Sequence, residues 1–171
     1  MDFALIGARL AGKFGGDAVP TVPEKGDPFV LVKRERIAEV CRFCREDEAL
    51  TFNSLHCISG IDYPKDQKLA VVYNLFSFRH RHSVALRVEM PRDGEPHLDS
   101  VVAVWPGANW LERETYDMFG IRFDGHPDPR RILLPDDWEG FPLRKDYQVA
   151  EMWHGMRIDA NYHPPGGPPK E

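Results

Sequence analysis

Three runs rich in β-branched and aromatic residues, Thr51–Asp62, Leu69–Arg79 and Ser83–Met90, stand almost back to back in the middle of the chain. The turn-prone Tyr63-Pro64-Lys65-Asp66 and the stretch from Arg79 to His82 separate them. Such runs with turn-prone breaks read as consecutive strands, and short connections favour antiparallel neighbours. The flanking sequence says what covers this sheet. Phe3, Ile6, Leu10 and Phe14 recur at helical spacing and stop at Gly15-Gly16, which predicts an amphipathic helix with a glycine end. Ala18–Val22 and Phe29–Lys33 predict two short strands, and Arg34–Asp47 a second helix with Ile37, Val40, Cys41 and Cys44 on its apolar stripe. The order helix, two strands, helix, three strands predicts an α+β two-layer domain, with helices on one face of a mixed, mostly antiparallel sheet.

A third helix is expected over Asn109–Phe119. Asn109 reads as its N-cap, Glu112 as the acidic partner of a capping box, and Gly120 as the stop. Beyond Gly120 the character changes. Pro127, Pro129, Pro135 and Pro142 exclude a long regular element, yet Phe123, Trp138, Phe141 and Tyr147 lie among them. So long an irregular stretch is expected to be functional or packed on something else. The division expected is a core domain over 1–120 and a proline-rich, irregular partner-binding arm over 121–171, its end from Tyr162 to Pro169 extended and mobile.

The chain's 171 residues suffice for one core. Lys and Arg number 22 against 27 Asp and Glu, a net charge of −5, which disfavours nucleic acid and anionic membrane as partners. No apolar run approaches the ~20 residues of a membrane helix. Met1 to Ala4 carries no basic start of a secretory signal, and an odd set of three cysteines suggests a reducing compartment rather than a disulfide scaffold.

Several groups of residues could carry chemistry. Cys41-Arg42-Phe43-Cys44 has the spacing of a metal or redox pair, but only Cys57 remains to complete a four-ligand site, and its neighbour His56 points to the opposite face of a strand. Both cysteines of the pair also fall on an apolar stripe, so they read as core thiols. His80 and His82 share a strand face but sit among arginines at a turn, and read as solvated turn residues. Glu114 and Asp117 could form an acid–base pair on one helix face, and with the two histidines they define the rival reading of a metal-dependent hydrolase. Internal pairing is the plainer reading, with Arg113 and Asp117 one helical turn apart. No glycine-rich nucleotide loop or nucleophile elbow is present. Trp110, Tyr116, Met118 and Phe119 interleaved with charge suit a protein–protein surface.

The run from Glu112 to Ile121, Glu-Arg-Glu-Thr-Tyr-Asp-Met-Phe-Gly-Ile, resembles the signature of the C-subunit family of respiratory complex I. The resemblance continues through His126-Pro127, Arg130-Arg131-Ile132-Leu133-Leu134-Pro135, Trp138-Glu139-Gly140 and Pro142-Leu143-Arg144-Lys145-Asp146-Tyr147, and Trp105 to Trp110 also fits. It implies a subunit of the peripheral arm of NADH-quinone oxidoreductase with no cofactor of its own. Flavin mononucleotide, iron–sulfur clusters and quinone would sit in partner subunits. The implied partners are the quinone-site (D) subunit, with the cluster-bearing B and I subunits nearby, on the cytoplasmic face of the bacterial inner membrane and held there only through the complex. Related subunits occur in energy-converting hydrogenases and deazaflavin-dependent dehydrogenases. On this resemblance Trp110, Glu112, Arg113, Glu114, Asp117, Phe119, His126, Arg130, Arg131, Trp138, Arg144, Lys145, Asp146 and Tyr147 are the candidate partner-binding residues. The proline-rich stretch would then be ordered by partner surface rather than by its own core.

Overall fold

A computed structural model describes residues 1–158. Helix α1 (Phe3–Phe14) is capped by the Asp2 carboxylate, which accepts from Leu5 N, and ends at Gly15 with φ 57°. Strands β1 (Ala18–Thr21) and β2 (Phe29–Val32) follow, then a 3-10 turn over Arg34–Arg36 leading into α2 (Ile37–Glu46). The central strands are β3 (Ser54–Tyr63), β4 (Lys68–Ser77) and β5 (His82–Pro91). The five strands form one sheet in the order β1-β2-β5-β4-β3. All neighbours are antiparallel except β2 and β5, which run parallel. The sheet is therefore mixed and mostly antiparallel, as the sequence predicts.

Alternation places Leu69, Val71, Tyr73 and Leu75 of β4 with Leu86 and Val88 of β5 on one face. Ile6, Leu10 and Phe14 of α1 and Ile37, Val40, Cys41 and Cys44 of α2 close over them in a single core. Burial of this apolar surface is the main source of stability. Cys41 and Cys44 are completely buried free thiols, and burial pushes both thiols above their ordinary range. A thiol that stays protonated in an apolar core is a packing group rather than a nucleophile.

Helix α3 (Ala108–Phe119) packs across β3 and ends at Gly120, φ 72°. Close approach is possible because β3 carries Gly60, where a Cβ would stand 2.4 Å from the Phe119 ring. Its start differs from the expectation. The N-cap is Gly107, no side chain caps the helix, and Asn109 already lies inside it. Glu112 is turned down into the domain instead of back along the helix.

The domain also continues past residue 120. Ile121 and Phe123 belong to the core, and β7 (Arg122–Asp124) runs parallel to β6 (His97–Asp99). A two-residue turn at His154-Gly155, both with positive φ, joins β8 (Met152–Trp153) to β9 (Met156–Arg157), the geometry that suits a tight hairpin. The tail from Tyr162 to Pro169 lies outside the described residues. No helix among the described residues is long and apolar enough to cross a membrane.

Candidate functional site

Several of the residues singled out in the sequence meet at α3, where the buried Asp117 holds the chain's own irregular segment. Asp117 is completely buried. One carboxylate oxygen accepts from Arg131 Nη1 at 2.6 Å, and the other accepts three successive backbone amides, Ile132, Leu133 and Leu134, at 3.1, 2.7 and 2.9 Å. Burial alone would push this carboxyl up. The donations from Leu134, Arg131, Leu133 and Ile132 together outweigh burial and hold it below the ordinary aspartate range. Residues 132–134, which lack partners in regular structure, thus find them on one carboxylate.

Arg131 continues the knot. Its Nη2 donates to the carbonyls of Trp138 and Gly140, and its guanidinium lies 5.3 Å from the Phe141 ring centre. Arg144 lies over the same ring at 5.2 Å and donates through Nε to the Phe119 carbonyl, while Leu143 N donates to the Met118 carbonyl. These are the open carbonyls at the C-terminus of α3, where a cation also meets the negative end of the helix dipole. The Phe141 ring lies over Gly120, where a Cβ would come within 2.4 Å of it.

Arg113 does not pair with Asp117 as its spacing suggests. It reaches the Arg130 and Arg131 carbonyls at 3.0 and 2.9 Å, with Asp128 at 3.3 Å. Asp117 and Arg113 both turn to the arm and spend their bonds on different groups of it, so the helical pair never forms. Glu114 is exposed while Asp117 is buried, which separates the proposed acid–base pair.

Glu112 is also fully buried, but its surroundings are different. It accepts from Val101 N at 2.7 Å and Ser100 Oγ at 2.6 Å, tying the 100–101 loop to α3. With no cation bonded to it, burial dominates over these two donations and pushes its carboxyl up to about 7. His126 Nε2 stands 3.9 Å away. The Asp128 amide donates to His126 Nδ1, which leaves Nε2 to donate toward the Asn109 carbonyl.

A second tie joins the arm to the sheet. The buried Asp62 of β3 accepts from Arg92 Nε at 2.8 Å and Lys145 N at 2.7 Å, and Arg92 also binds Asp146. The Arg92 guanidinium holds the Asp62 carboxyl below its ordinary range. Trp138 Nε1 donates to Tyr147 Oη at 3.0 Å. Sequence reasoning missed Asp62, Arg92, Ser100 and Gly60. The available signal was one carboxylate, Asp62, at the buried end of a strand-like run.

The arm is thus ordered by the chain's own residues through Tyr147, not by a partner alone, because Asp62, Arg113 and Asp117 supply the missing hydrogen-bond partners. Trp110, Glu114, Arg130 and Lys145 stay exposed. One of the two turn histidines also departs from expectation. His82 is buried with Nε2 at 2.8 Å from the Leu50 carbonyl, and His80 Nε2 lies 2.9 Å from that of Glu48. Both rings reach the 48–50 turn, but only His82 leaves the solvent; His80 stays exposed at its own turn, as expected. Among the described residues, no three His, Cys, Asp or Glu side chains group as a metal site.

Comparison with known proteins places this architecture. Residues 30–152 match the family described as "Respiratory-chain NADH dehydrogenase, 30 Kd subunit". The C subunit of NADH-quinone oxidoreductase from Chlorobium phaeobacteroides is 50% identical over 131 residues, 76% of this chain and 78% of that protein. The corresponding C subunit from Roseiflexus sp. (strain RS-1) is 44% identical over 167 residues, 94% of this chain and 95% of its own. A chain in the structure of the membrane-bound sulfane sulfur reductase, an archaeal respiratory membrane complex, shares the fold with a TM-score of 0.71 over 85% of each chain at 24% identity. The match to more than half of the chain and the near full-length relatives agree with the signature built around Asp117 and its arm: the chain belongs to the C-subunit family of NADH-quinone oxidoreductase, the 30 Kd subunit of respiratory-chain NADH dehydrogenase.

Proposed function

We propose that this chain is a cofactor-free structural subunit of the peripheral arm of proton-translocating NADH-quinone oxidoreductase. It supports electron transfer from NADH to quinone by holding the quinone-site (D) subunit in register with the cluster-bearing B and I subunits. Flavin mononucleotide, clusters and quinone are carried by those and other partners. The chain sits on the cytoplasmic face of the inner membrane, attached only through the complex, and has no turnover alone.

The observation that carries this reading is the apolar surface of the arm. Leu133 and Leu143 are exposed by 61 and 51% although the backbone through Tyr147 is tied down by Asp117, Arg131 and Asp62, and Val149, Met152 and Met156 just beyond it are also exposed. Side chains of this size held in water on a preordered segment suit a partner surface, because little ordering entropy remains to be lost on docking. Trp110 and Arg130 at the α3 end have the composition of interface anchors. The burial of Cys41 and Cys44 supports the assignment of clusters to other chains.

The test is to tag the chain in its own host, solubilise membranes gently and identify what co-purifies. Recovery with quinone-site, flavin and cluster subunits is expected. Recovery with hydrogenase or deazaflavin-dependent subunits would move it to a sister complex, and recovery alone with bound metal would overturn the reading in favour of a hydrolase.

A further inference from the structure

Beyond the family signature, the arm folds back on itself. The β8–β9 hairpin sets the Trp153 ring 5.8 Å from that of Trp138, which is already fixed by its bond to Tyr147. Beside them lies an open cleft of about 290 Å³. Its walls include Trp138, Tyr147 and Trp153, and its rim carries Asp137, Glu139 and His154. Asp137 is bonded to His154, and both side chains are more than half exposed. No bond ties down the Glu139 carboxylate among the described residues, and Trp153 Nε1 is buried there without a hydrogen-bond partner. The surrounding stretch 135–158 holds five Asp and Glu against three Lys and Arg; Arg144 is turned inward onto the Phe119 carbonyl, and Asp146 is paired with Arg92.

Aromatic faces with carboxylates at the rim are the chemistry that holds an organic cation: ring quadrupoles attract its charge and the carboxylates receive its N–H groups. We infer that this cleft is the socket for one Lys or Arg side chain of a neighbouring subunit. This rests on the proposed role as an assembly subunit and names what one part of the arm would bind.

The cleft is tested in the whole complex with two variants of the tagged chain, Asp137→Asn with Glu139→Gln, and Trp153→Leu. The quantity read is the amount of chain left on the immobilised quinone-site subunit after washes of rising sodium chloride concentration. The charge variant is expected to be retained about fivefold less at low salt and to lose the steep salt dependence of the natural chain, and Trp153→Leu to be retained less at every salt. The thermal unfolding midpoint of each isolated full-length variant is compared with the natural chain, so that a folding defect is recognised. Natural retention by a charge variant that folds normally overturns the socket and leaves the assembly role standing. Failure of the natural chain itself to co-purify overturns both. Carbodiimide coupling of Glu139 to a lysine of another subunit supports the socket, whereas coupling to Lys170 of the same chain overturns it, because the cleft would then be filled from within.

Discussion

Glu112 and Asp117 lie five residues apart on α3, both completely buried, and the fold moves their carboxyls in opposite directions. Asp117 faces a guanidinium and three amides, whereas Glu112 has one amide and one hydroxyl. The charged form is stabilised by Asp117's surroundings and disfavoured by those of Glu112, which also lies deeper in the protein. One helix thus carries an anion that organises the arm and a carboxyl that burial pushes up to about 7.

The raised Glu112 carboxyl gives a pH dependence of defined sign. Its ordinary value of 4.5 becomes about 7 on folding, so the folded chain binds more protons than the unfolded chain between these limits. The stability that Glu112 contributes is full below about 4.5 and is lost as the pH rises through 7. At most ~3 kcal/mol is involved for a shift of this size. Glu112→Gln keeps an acceptor for Val101 N and cannot titrate. Urea unfolding of the isolated chain from pH 5 to 8 is expected to show the natural protein losing stability relative to Glu112→Gln as pH rises. Parallel curves would show that Glu112 is not the titrating group.

Asp117 has the opposite dependence. Its lowered carboxyl contributes stability that is present above the ordinary aspartate range and is lost as the pH falls through its folded value. Asp117→Ala leaves Arg131 and the amides of 132–134 without their acceptor, and breaking one side of a buried pair costs about 3–5 kcal/mol. Limited trypsin digestion is expected to cut the variant after Arg130 or Arg131 while the natural chain resists, and in the host the amount of assembled complex falls more than turnover per complex. Normal assembly with abolished turnover would instead put Asp117 in catalysis.

The order of elements along the chain and both helices of the sheet's cover were legible because apolar periodicity depends on local sequence, whereas the strand order β1-β2-β5-β4-β3 was not. The strand-like runs, the stripe of Ile37, Val40, Cys41 and Cys44, and the glycine stop at Gly15 required no knowledge of distant residues. The partners of the charges were not legible. Arg113 and Asp117 have the spacing of a helical pair, but whether a side chain spends its bonds along its helix or on a loop 14 residues away depends on which face the core takes. Asp62 and Lys145 meet across 83 residues, and no local pattern marks that contact. Glu112 likewise had the spacing of a cap, but burial turned it toward Ser100.

Gly60 and Phe119 provide a packing test. An alanine methyl at 60 would fall 2.4 Å from Phe119 Cδ2, so the ring or the whole of α3 must shift. Gly60→Ala is expected to cost about 1–3 kcal/mol, the usual penalty for overpacking a core. Phe119→Leu alone also destabilises, by loss of buried surface, but in the double variant the smaller side chain makes room for the methyl. The double-mutant cycle should therefore show a favourable coupling above about 0.5 kcal/mol. Additive losses would mean that the strand and helix are separated more than the contact implies.

Cys41 and Cys44 separate packing from ligation. Both sit at zero exposure on the inner stripe of α2, among Tyr73 and the sheet's aliphatic residues, and burial keeps both thiols protonated. A cluster or zinc would require thiolates and further ligands in an apolar layer. Replacing both by alanine removes two buried sulfur atoms and leaves small cavities, with an expected cost of about 1 kcal/mol for each. The unfolding midpoint of the isolated chain should fall by several degrees, as a loss of that size implies for a domain of this length. In complex assembled with the double variant, the electron paramagnetic resonance signals of the clusters, scaled to the amount of quinone-site subunit, should equal those of the natural complex. Loss of one cluster signal with assembly intact would make the pair a ligand set and overturn the cofactor-free role.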